Sequence, residues 1–200
     1  MQIKEKYFIF LLGTKESEKS TFFKNITKNS DLNYFQPIGI EKRSKIYSST
    51  NNNFIEFNFI DTSISEFNSN FFYSIINVNK SAVILFFDFD NEKSFDYVEK
   101  FINDNNKILD EIKFEFEGNE FFFPIFILGI VNRKKEILDK NKIKFLTENK
   151  NIFDFQITNL DNLNNEIISK IIFKFFKEKI NLYYGKLKEK MNVNEDCSLF

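Results

Sequence analysis

The sequence predicts an α/β domain built on a mostly parallel sheet with helices packed on it. Two observations carry this. Apolar runs of strand length recur at Tyr7 to Leu12, Phe54 to Ile60, Val83 to Phe89, Phe122 to Leu128 and Ile152 to Ile157, each too short for an ordinary helix and rich in Phe and Ile. Between them lie segments with apolar residues at helical spacing, such as Phe95, Val98, Phe101 and Ile102 within Ser94 to Ile112. Alternation of this kind specifies parallel strands joined by crossover helices.

Taken in chain order, Tyr7 to Leu12 is a buried strand, followed by a polar loop opened by Gly13 and a helix from Thr21 to Lys28. Glu41 to Ser48 supplies an antiparallel edge strand that turns through Asn51 to Asn53 into Phe54 to Ile60. The central strand Val83 to Phe89 leads into the helix Ser94 to Ile112. Lys113 to Glu120 is acidic, contains Gly118, and reads as an extended loop before the strand Phe122 to Leu128. After Ile152 to Ile157, the helical pattern is strongest at Ile167 to Tyr184. The expectation is a sheet of about six strands in one domain, residues 1–184, with a flexible tail over 185–200. Short Asn-rich patches punctuate loops, and no internal repeat is visible.

Composition narrows the function classes. The 200 residues are 42% hydrophobic, enough for one well-buried core. Lys plus Arg is 28 against 29 for Asp plus Glu, so no overall field draws in nucleic acid, and none is expected as a partner. The chain has no His and a single Cys. That excludes an internal disulfide, a thiolate metal cage and imidazole acid/base chemistry. The 29 Phe residues are read as core before anything else. Tyr7 to Leu12 is too short for a signal peptide and Phe121 to Val131 too short to span a bilayer, so a cytosolic chain is expected.

The loop after the first strand carries the chemistry. Gly13, Lys19 and Ser20 fit the phosphate-loop pattern GxxxxGK[ST], with Glu18 where the second glycine belongs. In such a loop the backbone N–H groups and the following helix N-terminus hold phosphate, the Lys neutralises it, and the hydroxyl ligates magnesium. Candidate phosphate-binding residues are therefore Gly13, Lys15, Glu16, Ser17, Glu18, Lys19, Ser20 and Thr21, with Ser20 the metal ligand. A Glu18 carboxylate within about 4 Å of a phosphate would cost about 4 kcal/mol at an effective dielectric of 20, near a thousandfold in affinity. Turned to solvent, it would cost far less. The plainer alternative is a strand, a Lys-rich loop and a helix with no ligand.

With these elements in this order, the chain resembles the small GTPases of the Ras superfamily, most closely the Rab-like branch, over almost its whole length. Ile38 and Gly39 match the family's first switch, although Tyr34 to Pro37 offers no Thr for magnesium. Asp61 and Thr62 match the start of the family's DTAGQ, which here continues Ser63, Ile64, Ser65. Val83 to Phe95 (VILFFDFDNEKSF) is the longest stretch of resemblance. Ile130, Val131, Asn132 and Arg133 stand where the base-reading NKxD belongs, and Thr158, Asn159 and Leu160 where SAK belongs. The resemblance implies a P-loop NTPase-type fold that binds GTP or GDP. Magnesium would lie on Ser20 and Asp61, with Asn132 and Thr158 on the base side. Ser65 at the glutamine position leaves no catalytic residue to assign and implies weak hydrolysis. Loops near Pro37 and Ile64 would respond to the γ phosphate and meet effectors or regulators, in signalling or vesicle trafficking. A pseudo-GTPase, the same domain used as a nucleotide-independent binding module, is the alternative.

The last four residues, Cys197, Ser198, Leu199 and Phe200, fit a prenylation box whose terminal Phe favours geranylgeranyl. A prenyltransferase is thus an expected partner and Cys197 the lipidation site. Lys177, Lys179, Lys186, Lys188 and Lys190 precede it but are offset by Glu178, Glu189, Glu195 and Asp196. One lipid without a strong basic patch gives reversible binding, so cycling between cytosol and a membrane's cytosolic face is expected.

Overall fold

The computed structural model describes residues 3–15, 17–26, 40–48, 54–62, 69–78, 80–131, 140–148, 154–159 and 180–190. The elements run β1 (Ile3–Leu12), α1 (Lys19–Ile26), β2 (Ile40–Ser48), β3 (Phe54–Thr62), α2 (Ser69–Ile76), β4 (Ser81–Asp88) and α3 (Glu92–Ile112). They continue with β5 (Phe114–Phe116), β6 (Asn119–Phe121), β7 (Ile125–Val131), α4 (Lys140–Glu148) and β8 (Asp154–Asn159). Residues 180–190 are also helical.

The main sheet has the order β2-β3-β1-β4-β7-β8. Every neighbouring pair is parallel except β2 with β3, which is the expected antiparallel edge. The chain is therefore an α/β protein with a mostly parallel mixed sheet. Side chains alternate across β1. Phe10 and Leu12 join α2, α3, α4 and β7 in one core, while Tyr7, Ile9 and Leu11 join Phe22, Phe23 and Ile26 of α1 in the other. β4 is buried at every position, because both of its faces are covered. The Phe residues at the centre of these elements are core, as read: Phe22, Phe23, Phe57, Phe59, Phe72, Phe86 and Phe87 are all buried.

Three departures from the sequence reading have local causes. Lys113 to Glu120 is not an extended loop but most of a β-hairpin, with Phe114 opposite Phe121 and Phe116 opposite Asn119. Glu117 and Gly118 form its two-residue turn with φ of 52° and 76°, left-handed at both positions, as the twist of a tight hairpin requires. The strand expected from Phe122 starts at Ile125, after Pro124, whose nitrogen has no hydrogen to donate to a ladder. Helices α2 and α4, of 8 and 9 residues, are additional to the sequence expectation; both are shorter than the window in which a helical stripe can be told from a strand.

Helix α3 begins before Ser94, where the Asn91 side chain caps it by accepting from the Ser94 N–H. The final helix runs on beyond Tyr184 to residue 190. Among the described residues, no helix is long and apolar enough to cross a membrane. The expected turn Asn51 to Asn53 and residues 167–179 of the expected last helix lie outside the described residues.

Candidate functional site

The candidate site follows from strand order. β1 lies between β3 and β4: the chain leaving β1 goes to the β2–β3 side, and the connection leaving β3 crosses back past β1 to β4. In parallel α/β sheets such a reversal opens a crevice at the carboxyl ends of the strands. The segment from Gly13 to Glu18 links β1 to α1 at that point, and the pairing of Leu11 with Asp61 brings the end of β3 alongside.

Gly13 is demanded by space. A Cβ there would stand 2.6 Å from Ser17 Oγ, 2.8 Å from the Phe86 carbonyl oxygen and 3.1 Å from Phe86 Cβ. The chain then turns tightly, with the buried Ser17 donating both its N–H, at 3.2 Å, and its hydroxyl, at 2.7 Å, to the Thr14 carbonyl. Glu18 has φ of 56°, the left-handed conformation for which glycine is the ordinary choice. Its carbonyl accepts from the Phe22 N–H at 3.0 Å, closing the first turn of α1. Its carboxylate accepts from the Thr21 hydroxyl at 2.8 Å in an exposed bond. The side chain that replaces glycine is thus held against the outer flank of α1.

Behind the loop is a buried polar cluster. Lys19 is 5% exposed and Asp61 9%. The Lys19 ammonium donates to Asp61 Oδ1 and to the Thr62 carbonyl oxygen. Ser20 Oγ donates to Asp61 Oδ2 at 3.4 Å, and the Thr62 hydroxyl to the Leu11 carbonyl at 3.4 Å. A buried ammonium needs a partner because desolvation removes several kcal/mol of hydration, of the order restored by a close carboxylate.

Most of the loop residues singled out from the sequence do come together. Gly13, Ser17, Glu18, Lys19, Ser20 and Thr21 share the loop and first turn, and Asp61 meets Lys19 and Ser20 from β3. Lys15 is exposed at the turn. Thr158 sits near the carboxyl end of β8, paired with Ile130, at the same end of the sheet but three strands from β1. Glu16, Tyr34 to Gly39, Ser63 to Ser65, Asn132, Arg133, Leu160 and Cys197 lie outside the described residues. What the sequence reading missed is the Thr62 carbonyl as the second acceptor for Lys19. A main-chain oxygen has no residue signature, so only strand register could have exposed it.

The donor set suits the groups implied for this site. Gly13 keeps a cradle that a Cβ would fill, Lys19 supplies a cation, and Ser20 with Asp61 supplies hard oxygen ligands of the kind magnesium takes together with phosphate. No protein-family model matches the chain, and no curated protein was found to be similar to it in sequence.

Proposed function

We propose that the chain is a small GTPase-like switch of the Ras superfamily, nearest its Rab-like branch, with the P-loop NTPase-type small GTPase fold. The observation that carries this reading is the loop from Gly13 to Glu18 at the strand-order reversal, with Lys19, Ser20 and Asp61 joined at its base. In this reading Lys19 neutralises the phosphates of GTP or GDP, while Ser20 and Asp61 hold magnesium. Bound magnesium would supply charge screening of the phosphates. Lys19 must first leave Asp61 and the Thr62 carbonyl, which frees the carboxylate for a metal ion. The flank-bound carboxylate of Glu18 supports the reading, since that charge is partnered by Thr21.

Hydrolysis is weak in this reading, because Ser65 at the glutamine position is too short to orient water. Asn132 and Thr158 are assigned to base binding in this reading, and segments near Pro37 and Ile64 to effectors or regulators in signalling or vesicle trafficking. A prenyltransferase modifies Cys197, and the lipid holds the protein reversibly at the cytosolic face of a membrane.

One observation favours a second reading, a pseudo-GTPase used as a membrane-associated protein-binding module. Lys19 is already satisfied by Asp61 and Thr62, and the Ser17 N–H by Thr14, so the cradle's charge and one of its donors are spent internally. The deciding experiment is to purify the protein without added nucleotide, denature it and identify what is released by chromatography, with Lys19→Ala as control. Stoichiometric guanine nucleotide that disappears in the variant supports the switch. An empty, folded protein that takes up neither GTP nor GDP with magnesium sinks it and leaves the binding module.

A further inference from the structure

The β5–β6 hairpin and the helix lying on it play no part in the nucleotide reading. Residues 180–190 place Tyr183, Lys186, Leu187 and Lys190 on one face, at the i, i+3, i+4, i+7 spacing of a helical stripe. That face meets the hairpin. The Tyr183 ring lies 5.5 Å from Phe114 and 6.0 Å from Phe123 between centroids, and its hydroxyl donates to the Ile112 carbonyl at 3.0 Å. The Lys186 ammonium sits 5.2 Å over the Phe116 ring and 3.9 Å from the Glu117 carboxylate. One turn further on, the Lys190 ammonium sits 5.4 Å over Phe114. Cations over ring faces attract, and do so more when partly desolvated.

Local preference does not account for this helical turn. Lys186 to Lys190 are good helix formers, but Gly185 before them is among the poorest, and a segment this short is marginal as helix without packing. The i, i+3 pair of Lys186 with Glu189 at 2.6 Å adds little on an exposed surface. Helix here depends on what the hairpin supplies.

We propose that the β5–β6 hairpin is a clasp that holds residues 185–190 helical, and that its opening unwinds that segment while the rest of the domain stays folded. Opening has a direct consequence: six residues lengthen from about 9 Å as helix to about 20 Å extended, and Lys186 leaves the Phe116 ring. The positive charge of Lys186 is the handle, since it serves the Phe116 ring, Glu117 and Glu189 together.

The test is hydrogen exchange read by mass spectrometry on the full chain. The variants are Lys186→Gln with Lys190→Gln on the helix side and Phe116→Ala on the hairpin side, with Lys186→Arg and Lys190→Arg together as the charge-keeping control. In both altered proteins the amides of 185–190 should exchange at least tenfold faster while those of α3 and β4 keep their protection, and the arginine control should match the parent. Unchanged protection over 185–190 in either altered protein would overturn the proposal by showing that the helix holds itself. Loss of protection through α3 and β4 as well would overturn it by showing one cooperative unit without a separate clasp.

Discussion

Replacing Asp61 with Ala tests the buried cluster at its most sensitive point. Lys19 and Asp61 are 5% and 9% exposed, and among the described residues the other acceptor for the ammonium is the neutral Thr62 carbonyl. Removing one member of a buried pair leaves an uncompensated charge and costs about 3–5 kcal/mol. Total stability is about 5–15 kcal/mol, so the loss is a large fraction of it. For a chain of this size the midpoint of thermal unfolding falls by about 2–4 °C per kcal/mol, so a drop of about 6–20 °C is expected. Lys19→Met alone and Lys19→Met with Asp61→Ala complete a cycle with the parent; the double variant removes both charges and should recover much of the loss, giving a coupling of about 2 kcal/mol or more. Urea unfolding followed by far-ultraviolet circular dichroism suits this chain, which has no Trp. Equal slopes against urea among the four proteins would show that the comparison is of stability alone. A cost below about 1 kcal/mol for Asp61→Ala, the value of a surface pair, would refute the reasoning, because the ammonium would then be finding water.

Three further outcomes are expected. Gly13→Ala should destabilise by about 1–3 kcal/mol in the same urea assay, since its Cβ would meet the Phe86 main chain, which cannot swing aside. Glu18→Gly should change stability by no more than about 1 kcal/mol, because relief of the left-handed conformation is offset by glycine's greater freedom when unfolded and by loss of the Thr21 bond. A gain in nucleotide uptake by that variant, measured by equilibrium dialysis, would then report on the site and not on the fold. Stability should fall above pH 10. Burial holds the phenols of Tyr7, Tyr97 and Tyr183 above their ordinary value, for Tyr7 with help from Glu5 and for Tyr183 from Tyr184. The folded state therefore keeps protons that the unfolded chain releases near pH 10, so this contribution is intact below that pH and lost above it, at about 1.4 kcal/mol per unit for each such tyrosine. Thermal melts at pH 8 and pH 11 check it, and equal midpoints would contradict it.

The loop was legible because glycine, lysine and serine at fixed spacing after an apolar run leave few alternatives. Its internal state was not. Whether a glutamate could occupy the glycine position depended on a backbone angle and on the reach of Thr21, three residues on, and neither leaves a trace in a motif. The hairpin was misread for a related reason. Phe114, Phe116 and Phe121 flank Glu117 and Gly118 in the order a tight turn needs, but a high local charge drew the reading towards solvent. Phe114 is buried with Tyr183 packed on it, and Lys186 lies over Phe116.

Residue order alone determined the α/β class, the antiparallel edge strand, the placing of Phe in the core and the identity of Gly13, Lys19 and Ser20 as a set, which Asp61 joined through the resemblance to small GTPases. These are properties of periodicity and residue chemistry, which act within a few neighbours along the chain. The tertiary structure decided that Lys19 closes on Asp61 and Thr62, 42 and 43 residues away. It also decided that Glu18 faces Thr21 and that residues 180–190 are folded against a hairpin some seventy residues earlier in the chain. The exposed Glu18 bond turns on a backbone angle, whereas the other two outcomes turn on which groups lose water together. Burial is set by the packing of distant elements, and no window of sequence contains it.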